Sequence, residues 1–227
     1  MLRRDLFIDY GIACLGLTLM VAAVSLISVW VPTEAEMGVV QRIFYFHVPL
    51  AWVAFLAFFV VFVASLLYLW KGDRRWDHRA HASGEIGLVF TTLVLVTGPI
   101  WAKPAWGVWW TWDLRLTTTL VLWFIYAAYL AVRSFAQDEE RGARFAAVVG
   151  VIGFLDVPIV AIAIVLSRTQ HPSPIIFEGG LAPSMLLTLL VSVAAFTLLY
   201  AGLLRMRATA QSMRGEVATL SEESRES

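Results

Sequence analysis

Residues 86–132 read IGLVFTTLVLVTGPIWAKPAWGVWWTWDLRLTTTLVLWFIYAAYLAV, two uncharged apolar runs on either side of a loop that holds four of the chain's ten tryptophans. The runs, 86–101 and 116–132, lie near the lower limit of the roughly 17 to 25 apolar residues that cover a hydrocarbon core. Hydrocarbon leaves no water to satisfy backbone N–H and C=O groups, so such runs must be helices. A helical hairpin in a bilayer is therefore expected, and its turn holds far more indole than is needed to anchor spans at a water boundary. That much flat, mostly apolar surface suits a flat, mostly apolar ligand.

Four more runs of the same kind surround this hairpin, at 11–31, 48–70, 145–166 and 181–204. The chain is 59% hydrophobic and 15% charged with a mean hydropathy of +0.76, a composition that excludes an ordinary soluble domain of 227 residues. The expectation is an all-α polytopic membrane protein with six transmembrane helices, one membrane domain over 1–204 and a tail over 205–227. Arg3 and Arg4 before the first run resemble the start of a signal peptide. The run is long and has no small-residue cleavage site, so it reads as a retained span.

Charge sets the orientation. With the N-terminus inside, thirteen of the seventeen basic residues fall in inner segments, and Arg42, Lys103, Arg115 and Arg168 alone fall outside. This asymmetry predicts both termini in the cytoplasm and outer loops at 32–47, 102–115 and 167–180. The formal net charge of zero gives no reason to expect a nucleic acid partner, because the basic residues serve topology. The tail turns acidic at SEESRES and reads as a solvated or frayed helix end. Cys14 is the only cysteine, so neither a disulfide nor a CxxCH for covalent haem attachment exists within the chain. No phosphate-binding loop, dinucleotide fingerprint or HExxH is present, which leaves an ATPase, a soluble dehydrogenase and a zinc protease without support.

The four histidines divide by side. His78 and His81 fall in KGDRRWDHRAHAS, read as an inner solvated loop or docking surface. His47, in FYFHVPLAW, and His171, in SRTQHPSP, share the outer side with the tryptophans. Pro49 suits the first turn of a helix, which places the His47 imidazole at the positive end of the second span. That field favours the neutral ring, the form that binds metal. Pro172 and Pro174 hold His171 in extended or turn geometry. For either residue alone, an interfacial histidine bonded to a neighbour is an equally good explanation; ligation rests on the pair.

Pro104 suits the start of a short helix. At 100° per residue, Trp106, Trp109, Trp110 and Asp113 then share an arc of roughly 100°, with Trp112 beside it and Arg115 opposite Trp106. A short tryptophan-rich helix lying in the interface between the third and fourth spans is therefore expected. Two acids remain in or beside apolar runs. Asp156 is mid-way along the fifth, either hydrogen-bonded to a carbonyl freed by Pro158 or lining a ligand path, and Glu85 at the start of the third is structural.

The run GPIWAKPAWGVWWTWDLRLT, the FHVP motif, the six spans and a histidine in each flanking outer loop resemble the CcmC family of the bacterial cytochrome c maturation system. The resemblance covers nearly the whole chain and is loosest around His171. It implies a protein of the bacterial cytoplasmic (inner) membrane that binds b-type haem at the outer face. It makes His47 and His171 the axial ligands of the iron and Trp106, Trp109, Trp110, Trp112 and Asp113 the platform. The porphyrin's propionates need positive donors, for which Arg115 is the first candidate and Arg42 the second. The implied partners are a CcmE-like haem chaperone, the CcmA ATPase and the CcmB and CcmD membrane subunits. The implied role is haem binding and transfer rather than enzymatic turnover, with a lyase-like step at the chaperone left open. A b-type cytochrome exchanging electrons with quinone would place its histidines inside the spans. A solute transporter with an aromatic gate needs no histidine pair, and an outer zinc site of His47, His171 and Asp113 lacks a third strong ligand.

Overall fold

The computed structural model describes residues 2–136, 138–166 and 180–226. Seven α-helices follow in order: α1 Leu2–Ser25, α2 Phe44–Lys71, α3 Arg74–Trp106, α4 Leu114–Phe135, α5 Glu139–Gly153, α6 Asp156–Leu166 and α7 Pro183–Glu226. A π-helical turn, Leu26–Trp30, extends α1, and a 3-10 turn, Val39–Ile43, leads into α2. No strand is present among the described residues. Among the described residues six helical stretches are long and apolar enough to cross a bilayer, namely Phe7–Trp30, Val39–Lys71, Arg74–Trp106, Leu114–Phe135, Glu139–Ala163 and Pro183–Gly215. The all-α, six-span architecture expected from the sequence is thus what the chain forms.

Helix α2 lies at the centre. Its Leu50, Val53, Ala54 and Ala57 pack with Ile86 and Phe90 of α3 and with Phe196 and Tyr200 of α7. Its Phe58 and Val61 join Leu122, Tyr126 and Tyr129 of α4 and Ala146 of α5 in a second cluster. Phe58 stacks on Tyr126 with ring centroids 3.6 Å apart. Close approach of α5 to α2 depends on Gly150, where an added Cβ would stand 2.9 Å from Val61 Cγ1. Outside these clusters the helices present apolar side chains such as Phe59, Val89, Phe124 and Ile162 outward, as a lipid-facing surface requires.

The segment expected to be an inner histidine loop is helical. Only Gly72 and Asp73 separate α2 from α3; Gly72 at φ 68° ends the first, and the Asp73 carboxylate caps the second by accepting from the Arg75 N–H at 2.9 Å. Arg75 also donates from its side chain to Asp73, which holds that carboxyl below its usual pKa. With the first turns of α3 helical, Asp77 turns inward, is 2% exposed, and accepts both arms of Arg133 from α4, one at 2.7 Å. Breaking a buried pair of this kind costs about 3–5 kcal/mol. His81 stands 3.7 Å from Glu85, which in turn accepts from Arg207 at 2.6 and 2.7 Å and from Gln211 at 3.2 Å. The structural role expected for Glu85 is therefore to hold α3 to α7. Arg205 does the same for α1, donating to Asp9 at 2.6 Å. These bonds lie at residues 205–211, so the first part of the expected tail continues α7 and is bonded to α1 and α3.

The fifth span breaks at Phe154 and Leu155, between α5 and α6. Pro158 has no N–H for the Phe154 carbonyl, and that carbonyl accepts from Val157 N–H at 3.0 Å instead. Asp156 Oδ2 is buried without a hydrogen-bond partner among the described residues, and the freed carbonyl is engaged by Val157 rather than by this oxygen.

Candidate functional site

Helix α2 begins at Phe44, before the expected start at 48, because the 3-10 turn Val39–Ile43 runs directly into it. Pro49 is consequently inside the helix, and His47 closes its first turn, still within reach of the N-terminal field. His47 is 7% exposed. Trp101 of α3 meets it edge-on with centroids 5.9 Å apart, and Trp101 also contacts Phe44 at 6.0 Å and Trp106 at 5.5 Å. His47 Nδ1 lies 2.8 Å from the hydroxyl of Thr97, and that hydroxyl lies 2.7 Å from the Leu93 carbonyl one turn back in α3. Gly98 completes the seat: an added Cβ would come 3.3 Å from His47 Cε1.

The tryptophan loop differs from the short interfacial helix that Pro104 suggested. Helix α3 continues through Pro104 to Trp106 and is ended by Gly107 at φ 79°, whose N–H bonds the Lys103 carbonyl at 2.9 Å. The Lys103 ammonium donates to the Gly107 carbonyl at 2.9 Å. At the other end Asp113 caps α4, accepting from Leu116 N–H at 3.1 Å and from the Thr111 hydroxyl at 2.8 Å. With Gly107 ending α3 in the left-handed conformation and Asp113 capping α4, no length is left for a third helix between them. The adjoining helices are also longer than the apolar runs, since 33 residues form α3 and 22 form α4.

The indoles therefore do not form the single arc expected of a helix. Trp106 closes α3 half-buried, Trp109 is 59% exposed, and Trp112 is 69% exposed with Trp110 edge-on beside it at 5.6 Å. Trp112 has φ 55°, a left-handed conformation that costs a non-glycine residue about 1 kcal/mol or more. The indole N–H groups of Trp101 and Trp110 are buried with no acceptor among the described residues. A loop that keeps strain and unsatisfied donors is shaped for something other than stability.

Of the two expected propionate partners, Arg115 is partly covered, and among the described residues no hydrogen bond or ion pair engages its guanidinium; Asp113 is the one acid acting on it. Arg42 donates to the Ser28 carbonyl at 3.2 Å, which ties the 3-10 turn before α2 to the end of the first span. Asp113 is now placed: it holds the tryptophan loop to the fourth span. His171 and Arg168 fall outside the described residues. Sequence reasoning overlooked Thr97, Gly98 and Trp101 as neighbours of His47. Trp101 adjoins the tryptophan loop and stands one helical turn beyond Thr97, but nothing in the order of residues aims either of them at residue 47.

Together these elements define a class: a polytopic helical membrane protein whose third and fourth spans are joined by a tryptophan loop beside a seated histidine. Within that class the chain belongs to the CcmC family, whose model, described as Heme exporter protein C, matches residues 7–223. Heme exporter protein C of Bradyrhizobium diazoefficiens is 37% identical over 177 residues, covering 74% of this chain and 65% of that protein. A putative cytochrome c biosynthesis ccmC-like mitochondrial protein of Marchantia polymorpha is 35% identical over 173 residues, 75% of this chain and 73% of its own length. Heme exporter protein C of Escherichia coli K12 is 34% identical over 176 residues, 78% of this chain and 72% of its own. The match thus spans just under two thirds of the Bradyrhizobium protein.

Proposed function

We propose that this chain binds b-type haem as cargo at the outer face of the bacterial cytoplasmic membrane and presents it to a CcmE-like chaperone for cytochrome c maturation. The observation that carries the reading is the seat of His47: a buried imidazole on a threonine and a glycine, joined through Trp101 and Trp106 to the tryptophan loop. The names of the relatives, which tie them to haem export, agree with it.

The residues suit the cargo. Exposed Trp109 and Trp112 offer flat apolar faces to the macrocycle. Neutral His47 supplies a nitrogen lone pair to the iron, His171 a second, and Arg115 a forked cation to a propionate. Stacking and two neutral ligands hold haem without a covalent bond, and so allow release. With both termini in the cytoplasm, the loop and His47 face outward, where a membrane-anchored chaperone can receive haem. CcmA-, CcmB- and CcmD-like subunits are the remaining partners on this reading. The chain acts as a haem-binding and transfer subunit, with Asp113 bracing the platform.

Absorption spectroscopy of the purified full chain tests this. A Soret band is expected in the wild-type protein, and its loss or shift in both His47→Ala and His171→Ala. A wild-type protein that takes up no haem when titrated with haemin would refute haem binding and leave a transporter with an aromatic gate. A band unaffected by both substitutions would place the haem elsewhere.

A further inference from the structure

We propose that Thr97 is a positioning residue for His47: its hydroxyl locks the imidazole in the Nδ1–H tautomer and so makes Nε2 the nitrogen that carries the lone pair. The iron-binding half of this statement rests on the proposed function, whereas the tautomer belongs to the metal-free protein.

A threonine hydroxyl has one proton to give. Thr97 Oγ1 stands 2.7 Å from the Leu93 carbonyl and 2.8 Å from His47 Nδ1. A carbonyl oxygen only accepts, so the first contact is a hydrogen bond only if the hydroxyl donates to it. The proton is then spent, and the second contact is a bond only if Nδ1 donates. One arrangement satisfies both distances, and in it a neutral His47 carries its proton on Nδ1.

Among the described residues the same construction occurs twice more, with an indole N–H as the donor. Trp52 Nε1–H donates to Thr197 Oγ1 at 3.1 Å while Thr197 donates to the Val193 carbonyl at 2.7 Å. Trp123 Nε1–H donates to Thr92 Oγ1 at 2.8 Å while Thr92 donates to the Leu88 carbonyl at 2.8 Å. An indole nitrogen has no lone pair to offer, so in both cases the threonine is the acceptor from the ring. Thr97 has this geometry towards His47.

The lock matters because a ring bound through one nitrogen is oriented by the hydrogen bond of the other. A free imidazole in water places its proton mostly on Nε2, which leaves Nδ1 as the basic nitrogen. Here Nδ1 faces Thr97, and Gly98 lets the Cε1 edge lie against α3. Removing such an outer hydrogen bond lowers metal affinity by about 10- to 100-fold in comparable sites.

The test uses the full chain labelled with 15N-histidine, first without haem. Long-range proton–nitrogen correlation, assigned by loss of signals in His47→Gln, is expected to show Nδ1 protonated and Nε2 unprotonated in wild type and in Thr97→Ser. Thr97→Val, equal in volume, is expected to shift His47 toward the Nε2–H form. Titrated with haemin, Thr97→Val is expected to bind about tenfold or more weakly with a shifted Soret band, and Thr97→Ser to bind like wild type. Nε2–H in the wild-type metal-free protein overturns the proposal, and that measurement stands even if Thr97→Val does not fold. Weaker haem binding in Thr97→Val with an unchanged tautomer also overturns it, by showing a packing effect. If His47→Ala keeps the wild-type haem spectrum, the haem-ligand reading fails while the tautomer result is untouched.

Discussion

Arg115 is half-covered, and among the described residues nothing but the nearby Asp113 carboxylate offsets its charge. A cation kept in that state beside exposed indoles is poised for an anionic partner, since a charge-assisted hydrogen bond contributes about 1.5–3 kcal/mol. Arg115→Ala is expected to weaken haemin binding by about tenfold, the factor that corresponds to roughly 1.4 kcal/mol. Arg115→Lys keeps the charge without the fork and should fall between the two. Equal affinities for all three in a Soret titration would remove Arg115 from the site. Arg42 is a poorer candidate for the same role, because its bond to Ser28 already uses part of its guanidinium. These assignments show how far single residues are readable. His47 is legible because FHVP sits at a span boundary, and Asp113 is legible as chemistry but not as a helix cap. Thr97 is silent, since its meaning comes from a residue 50 positions away.

Among the elements, the junction of α3 and α4 decides the shape of the site. Gly107 at φ 79° ends α3, and nothing stands within 4 Å of the position a Cβ would take, so the demand for glycine there is one of backbone conformation alone. Gly107→Ala is expected to cost about 1 kcal/mol, and Gly107→Asn less, because asparagine tolerates the left-handed region. Both should lower haemin affinity in the same order as they lower the thermal unfolding midpoint in detergent. If Gly107→Ala leaves both quantities unchanged, the left-handed cap is not what shapes the loop. The helix expected from Pro104 failed for this reason: periodicity identifies a possible face, but caps determine where a helix stops. The residues 74–83, polar enough to read as a loop, became helix because the Asp73 cap and the burial of Asp77 against Arg133 supply partners that composition alone does not reveal.

For the whole molecule, the distribution of basic residues predicts an orientation, which determines whether the tryptophan loop can meet an outer partner. In a Cys14→Ser background, Val39→Cys in the first outer loop is expected to react with a membrane-impermeant maleimide in intact cells. Met213→Cys on α7 should react only after permeabilisation. The positions are 64% and 56% exposed, so access through the membrane, rather than burial, sets the outcome. The reverse pattern would put the His47 site in the cytoplasm and end the proposal of delivery to an outer chaperone. Residue order alone was enough for the six spans, the all-helical class and the place of the indole-rich turn, because apolarity and charge asymmetry are sums over local stretches that the bilayer sorts directly. Only the packed helices decided that α2 lies at the centre, that Glu85 meets Arg207, and that Thr97 and Gly98 seat His47. Those pairings depend on which face of one helix meets which face of another, a relation that exists only once the spans are side by side.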